Sequence, residues 1–202
     1  MILEQFKALI FDMDGTLVDS MPLHLAAWIA TSQEYGFHCD AEWLYAHGGV
    51  PSRKIAALIA QQQQLTLDPE LVARRKTAHY VASIANAVPF PQMAALVAQA
   101  YGRWPMAIGT GSLRSNAERI LEQSGLGRYI QTIVAAEDVS AHKPAPDTFL
   151  RAAELLGVAP SDCLVFEDTA IGCDAALAAG MACVMVVDGV PMWKGLTYPS
   201  RE

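Results

Sequence analysis

Five short apolar runs constrain this chain more than any other feature. Residues 8–11, 106–109, 132–135, 163–166 and 183–187 are nearly continuous in Ala, Val, Ile, Leu, Met, Phe and Cys. They are too short for buried helices and show no polar alternation, which is the pattern of strands covered on both faces. From the second run onward, helical patterns lie between them. One runs from about Arg114 to Ser124 and stops at Gly125. The next opens at Pro146 and stops at Gly157, and a third runs from Ala170 to Ala179, stopped by Gly180. Proline near the start and glycine just past the end is the expected punctuation of a helix. Strand–helix alternation requires right-handed crossovers, so the chain predicts an α/β fold with a doubly wound, five-stranded parallel Rossmann-like core.

The interval 12–105 is too long for a single crossover and holds no convincing strand. Ser20 and Pro22 open a helix that ends before Gly36, Ser52 caps a second, and Asp68-Pro69 opens a third that runs to about Asn86. Pro91 then opens the helix leading into the second strand. These signals predict a core of residues 1–17 and 88–202 interrupted by a helical cap, residues 18–87. Gln61 to Gln64 reads as the solvated end of the second helix. No element is predicted for 188–202.

With 202 residues, 52% of them apolar, the chain can build a sizeable core. Its net charge of −7 argues against nucleic-acid and anionic-membrane partners. An anionic small substrate stays open, because a metal and a few local cations outweigh the global field. The four cysteines form no CxxC pair, and three lie in apolar segments, as expected of reduced core thiols. A cytoplasmic, membrane-free monomer is the expectation: no segment has the make-up of a signal peptide or a membrane span.

Three of the runs end in polar groups: Asp12-Met13-Asp14-Gly15-Thr16, Thr110-Gly111-Ser112 and Glu167-Asp168. In a parallel sheet all strand C-termini share one edge, where open α/β folds bind ligands. Carboxylates at two of these ends are costly unless a cation or protons neutralise them, and Mg2+ held by oxygen ligands would do so. Each motif also has a plainer reading. Asp-Gly is common in turns, Thr110 can cap a helix, and Lys143, in His142-Lys143-Pro144-Ala145-Pro146-Asp147, can be a solvated loop lysine.

Taken in order, Asp-x-Asp-x-Thr, Thr, Lys-Pro and Glu-Asp resemble the haloacid dehalogenase-like superfamily in its phosphatase and phosphomutase branch. The resemblance covers essentially the whole chain, the insert matching the family's mobile cap. It implies that Asp12 is a nucleophile forming an aspartyl-phosphate and Asp14 a general acid, then base. It implies that Asp12, the Asp14 backbone carbonyl and Asp168 hold Mg2+ with Glu167 in support, and that Thr110 and Lys143 bind the transferring phosphoryl group. Thr16, Gly111 and Ser112 join the substrate site. The insert resembles the beta-phosphoglucomutase-like subfamily, closest to bacterial phosphatases of fructose 1-phosphate and similar sugar phosphates. On that resemblance His24, Arg53 and Lys76 face the substrate; on composition alone all three read as solvated.

The mutase pattern continues Ser-Lys after the second-strand Thr, where this chain has Ser112-Leu113. A mutase rebinds its bisphosphate in two orientations, so the missing cation favours a phosphatase; Ser112 and Arg114 are the residues that could compensate. The expected activity is Mg2+-dependent hydrolysis of a small sugar phosphate. The alternatives are a sugar phosphomutase, a phospho-receiver signalling domain, which lacks a 70-residue insert, and a catalytically dead binding protein.

Overall fold

The computed structural model describes residues 2–199. Its main sheet has six strands in the order β5-β4-β1-β6-β7-β8. These are β1 (Ala8–Phe11), β4 (Met106–Gly109), β5 (Thr132–Val134), β6 (Cys163–Glu167), β7 (Ala182–Val187) and β8 (Val190–Pro191). All neighbours are parallel except β7 and β8, so the expected five-stranded sheet gains an antiparallel edge. The cause is a two-residue turn: Asp188 (φ 49°) and Gly189 (φ 74°) both occupy the left-handed region that a tight hairpin requires. Pro191 is tolerated because β8 is an edge strand.

Alternate residues of β1 feed two cores. Leu9 and Phe11 face a cluster with Met93 and Val97 of α5 (Pro91–Ala100) and Ile120 and Leu121 of α6 (Arg114–Ser124). Ala8 and Ile10 face Phe149, Ala152 and Ala153 of α7 (Asp147–Leu156) and Ala175 and Ala176 of α8 (Ala170–Ala178). The sheet is thus helix-covered on both faces, as its unbroken apolar strands demand. Phe11 and Phe166 stack at 4.8 Å in the register Phe11↔Phe166. Truncating either to Ala costs about 3–5 kcal/mol, the usual range for a buried Phe.

The chain leaves the core through β2 (Val18–Asp19) and returns through β3 (Val88–Pro89), which pair antiparallel. Between them lie α1 (Met21–Tyr35), α2 (Ala41–Ala46), α3 (Ser52–Gln62) and α4 (Pro69–Ser83). They enclose their own apolar cluster around Trp28, Phe37, Leu44, Ile55, Ile59 and Val72. Two details differ from expectation. The six-residue α2, capped by Asp40 accepting from the Trp43 N–H, is additional. Helix α3 has Pro51 at its N-cap, and Ser52 is already its first helical residue. Of the tail, 193–195 form a 3-10 turn and Thr197 bridges to Cys183, while 200–202 lie outside the described residues. All four cysteines are free.

Candidate active site

The chain steps outward from β1 to β4 and β5, then crosses back to β6 on the other side of β1. This reversal places a crevice at the C-terminal end of β1, the ligand-binding position of open α/β sheets. Asp12 stands there, fully buried, with its backbone N–H bonded to the Phe166 carbonyl.

Lys143 is the centre of the buried layer. Its ammonium donates to Asp12 Oδ1 at 2.7 Å, Glu167 Oε1 at 2.8 Å and the Gly109 carbonyl at 3.0 Å. Three acceptors use all three of its hydrogens. Burial alone lowers the proton affinity of a lysine, but Asp12 and Glu167 overcome it and hold Lys143 charged. Burial, with the Glu167, Asp168 and Asp14 charges, pushes Asp12 upward, and Lys143 pulls it down. Burial prevails, so Asp12 stands well above the ordinary carboxylate range, with the Lys143 ammonium opposing the rise.

Asp12, Glu167 and Asp168 bring ligand oxygens within 4.8 Å of one another. The donor set fits a hard divalent cation: all oxygen, acidic, with one ammonium against three carboxylates. Burial, then the Glu167 charge, raises Asp168 to about 7. Glu167 has both oxygens engaged, Oε1 by Lys143 and Oε2 by the Thr169 N–H and hydroxyl. Asp168 accepts from Thr16 only through Oδ1, and Asp12 from Lys143 only through Oδ1, among the described residues. The Oδ2 atoms of Asp12 and Asp168 are therefore the ones left for a cation, with Glu167 behind them. Gly15, at φ +87°, has no Cβ because one would lie 2.2 Å from Asp168 Oδ2.

Asp14 lies apart from that acidic group and is held by the helical unit. Its Oδ1 accepts from Ser20 at 2.5 Å, His24 Nε2 at 3.1 Å and Tyr80 at 3.3 Å; its Oδ2 accepts from Ser112 at 2.7 Å. Burial raises its proton affinity, but His24 and the Ser20 and Ser112 hydroxyls outweigh it, so the carboxyl stays far below its usual range. Lys76 Nζ donates to His24 Nδ1 at 2.5 Å. An ammonium has no acceptor, so the His24 hydrogen sits on Nε2 and points to Asp14. Burial and the Lys76 charge keep His24 below its ordinary range. Burial brings Lys76 down to about 8 despite the opposing Asp14 charge.

Above this layer lies a cavity of about 700 Å3, walled by the helical unit on one side and the ends of β4 and β5 on the other. Asp14, His24, Arg53, Lys76, Gly111 and Ser112 line it. Arg53 stands at the rim, largely exposed, 3.4 Å from Glu70. Thr110 is buried beneath, and its hydroxyl accepts from the Ser112 N–H, leaving its own hydrogen to donate. The loop 47–51 closes the gap: a Cβ on Gly111 would lie 1.9 Å from the Gly49 carbonyl oxygen.

Two expectations change. Arg114 does not replace the missing lysine, since its guanidinium donates to the Ile133 carbonyl at 3.0 Å and to Asp138 at 2.5 Å, away from the cavity. Ser20 is at the N-cap of α1 without a capping bond, its hydroxyl being spent on Asp14. Ser20 and Tyr80 had no sequence signal beyond helix punctuation and a core aromatic.

The model of the haloacid dehalogenase-like hydrolase family matches residues 6–180. The fructose-1-phosphate phosphatase YqaB of Escherichia coli strain K12 is 43% identical over 183 residues, 91% of this chain and 97% of that protein. The beta-phosphoglucomutase of Bacillus subtilis strain 168 is 29% identical over 194 residues, 92% of this chain and 85% of that protein. The crystal structure of a beta-phosphoglucomutase from Clostridium difficile superposes with a TM-score of 0.82 at 25% identity, covering 90% of this chain and 84% of that one. Among the described residues no helix is long and apolar enough to cross a membrane.

Proposed function

The chain belongs to the haloacid dehalogenase-like hydrolase family and is a phosphatase; on that premise we propose that it hydrolyses a small sugar phosphate of the fructose 1-phosphate kind through Asp12, with Mg2+ as cofactor. The observation that carries the reading is the division of labour between two carboxylates two residues apart. Asp12 lies on the Lys143 ammonium and in the acidic group, and Asp14 lies outside that group on hydroxyl and imidazole donors. Phosphoryl transfer needs one anion to attack in line and another group to move protons. The 43% identity to a fructose-1-phosphate phosphatase supports the substrate class.

The Asp12 carboxylate attacks phosphorus through one of its oxygens, and the sugar oxygen leaves with a proton from Asp14. For Asp14 to carry that proton, substrate must first displace some of its four donors, which hold it ionised. Asp14 then takes a proton from the water that opens the phosphoaspartate. Lys143 spreads charge from the attacked phosphoryl, and the Thr110 hydroxyl donates to one of its oxygens. Asp12, Asp168 and the Asp14 backbone carbonyl are the proposed ligands of Mg2+, which when bound neutralises the charge gathering on the transferred group. Residues 18–87 act as the cap, hinged at the β2–β3 pair.

Phosphate release from fructose 1-phosphate with Mg2+ tests the reading. Asp12→Asn keeps the Lys143 hydrogen bond and the fold but loses at least about a thousandfold in kcat. Full turnover by Asp12→Asn sinks the nucleophile assignment. Isomerised sugar phosphate in place of released phosphate returns the mutase reading.

A further inference from the structure

Asn116 sits in the first turn of α6 and is 7% exposed. A buried amide is costly unless bonded. Among the described residues its side chain makes no hydrogen bond, yet no fully buried side-chain nitrogen or oxygen lacks a partner. Both hold only if the small exposed part of Asn116 is its amide, and the surface it meets is the cavity it lines. A local rule broken without compensation inside a site marks a residue kept for a ligand.

The neighbours limit what that ligand group can be. Ser112, Leu113 and Glu137 stand beside Asn116 on the core side of the cavity. Arg114 is turned away onto Asp138, and the Glu137 carboxylate accepts from the Arg114 backbone N–H at 3.1 Å. Among the described residues no lysine or arginine lines the cavity from this wall, His142 supplies its imidazole, and Glu137 opposes an anion. An amide offers one acceptor and two donors, which matches an alcohol.

We propose that Asn116 is a specificity-determining residue that reads a hydroxyl on the neutral part of the substrate; this rests on the sugar phosphate reading. The core wall, and not the cap alone, then selects polyhydroxylated esters. A site built to bond a hydroxyl discriminates strongly against analogues lacking it.

The test compares wild type with Asn116→Ala on fructose 1-phosphate, its monodeoxy analogues and p-nitrophenyl phosphate. Alanine favours the helix, so α6 is retained. The selectivity ratio, kcat/KM for fructose 1-phosphate over that for p-nitrophenyl phosphate, is expected to fall about tenfold, chiefly through KM. One monodeoxy analogue should lose the same factor with wild type and be indifferent to the substitution, closing a double-mutant cycle. An unchanged ratio, or a cycle with no coupling for any analogue, overturns the role of Asn116 while leaving the sugar phosphate reading standing. A wild type that cleaves p-nitrophenyl phosphate and no sugar phosphate overturns both.

Discussion

Replacing Gly111 by alanine separates docking of the helical unit from folding of the core. Gly111 follows β4 and Thr110, and its backbone is not in the left-handed region, so alanine brings no conformational strain of its own. The added Cβ would stand 1.9 Å from the Gly49 carbonyl oxygen and 2.6 Å from its carbon. An ordinary van der Waals contact begins at 3.4 Å, so one partner must retreat by about 1.5 Å. The core side is pinned, because the Thr110 N–H bonds to the Val134 carbonyl and the Ser112 hydroxyl to Asp14. The loop 47–51 belongs to a unit joined to the core through the two-residue strands β2 and β3, so it yields first. Its retreat carries His24, Lys76 and Tyr80 away from Asp14. A misplacement of about 1 Å can cost a factor of about 100 in rate, and this one is larger. Gly111→Ala is therefore expected to lose about a hundredfold in kcat/KM on fructose 1-phosphate, with a thermal midpoint near that of wild type. Amide exchange at Gly48 to Val50 should quicken. Wild-type kcat/KM would refute the argument that closure matters. A large fall in the midpoint would refute the argument that the contact relaxes by opening.

Two further outcomes follow from charge. Lys76, at about 8, loses its proton within the working range, whereas an ordinary lysine stays charged to about 10.4. The KM of wild type should climb above pH 8, approaching about tenfold per pH unit as the cation is lost, and Lys76→Arg should move that limb upward; the same limb persisting in Lys76→Met removes Lys76 as its source. Glu34 joins α1 to α4 by accepting from Arg75 Nε at 2.5 Å and from His79 at 2.8 Å, and Arg75 with His79 holds its carboxyl at about 2. A depressed carboxyl stabilises fully above its unfolded value of about 4.3 and ceases to as pH falls toward 2. The urea midpoints of wild type and Glu34→Gln should differ most above about pH 4.5, narrow as pH falls and converge only near pH 2; a constant gap counts against the ion pair.

What could be read in the sequence and what could not divides along a physical line. The strands β1, β4 and β6 were legible because double burial leaves them apolar up to Glu167 at the end of β6, and the polar groups at their ends were legible because strand ends share one edge. The strand β8 was also written in the sequence, as Asp188-Gly189 between apolar pairs. No element was predicted there, because a proline is kept out of a central strand, although an edge strand such as β8 tolerates it. Helix α2 was missed because six residues carry too little periodicity to register. The network on Asp14 was not legible. Ser20, His24 and Tyr80 come from two helices that are neighbours only after the helical unit packs, and each has a complete local explanation as cap, surface residue or core aromatic. The same holds for the Gly111–Gly49 approach, which depends on two loops meeting across the cavity. Local chemistry thus announced the buried anion layer, where β1, β4 and β6 supply neighbouring groups in fixed register. The groups that govern the proton on Asp14 arise only from tertiary packing, so cap position and acid–base state are coupled through the same hydrogen bonds. An opening of the helical unit that breaks the Ser20, His24 and Tyr80 contacts raises the proton affinity of Asp14, and a closing that restores them lowers it.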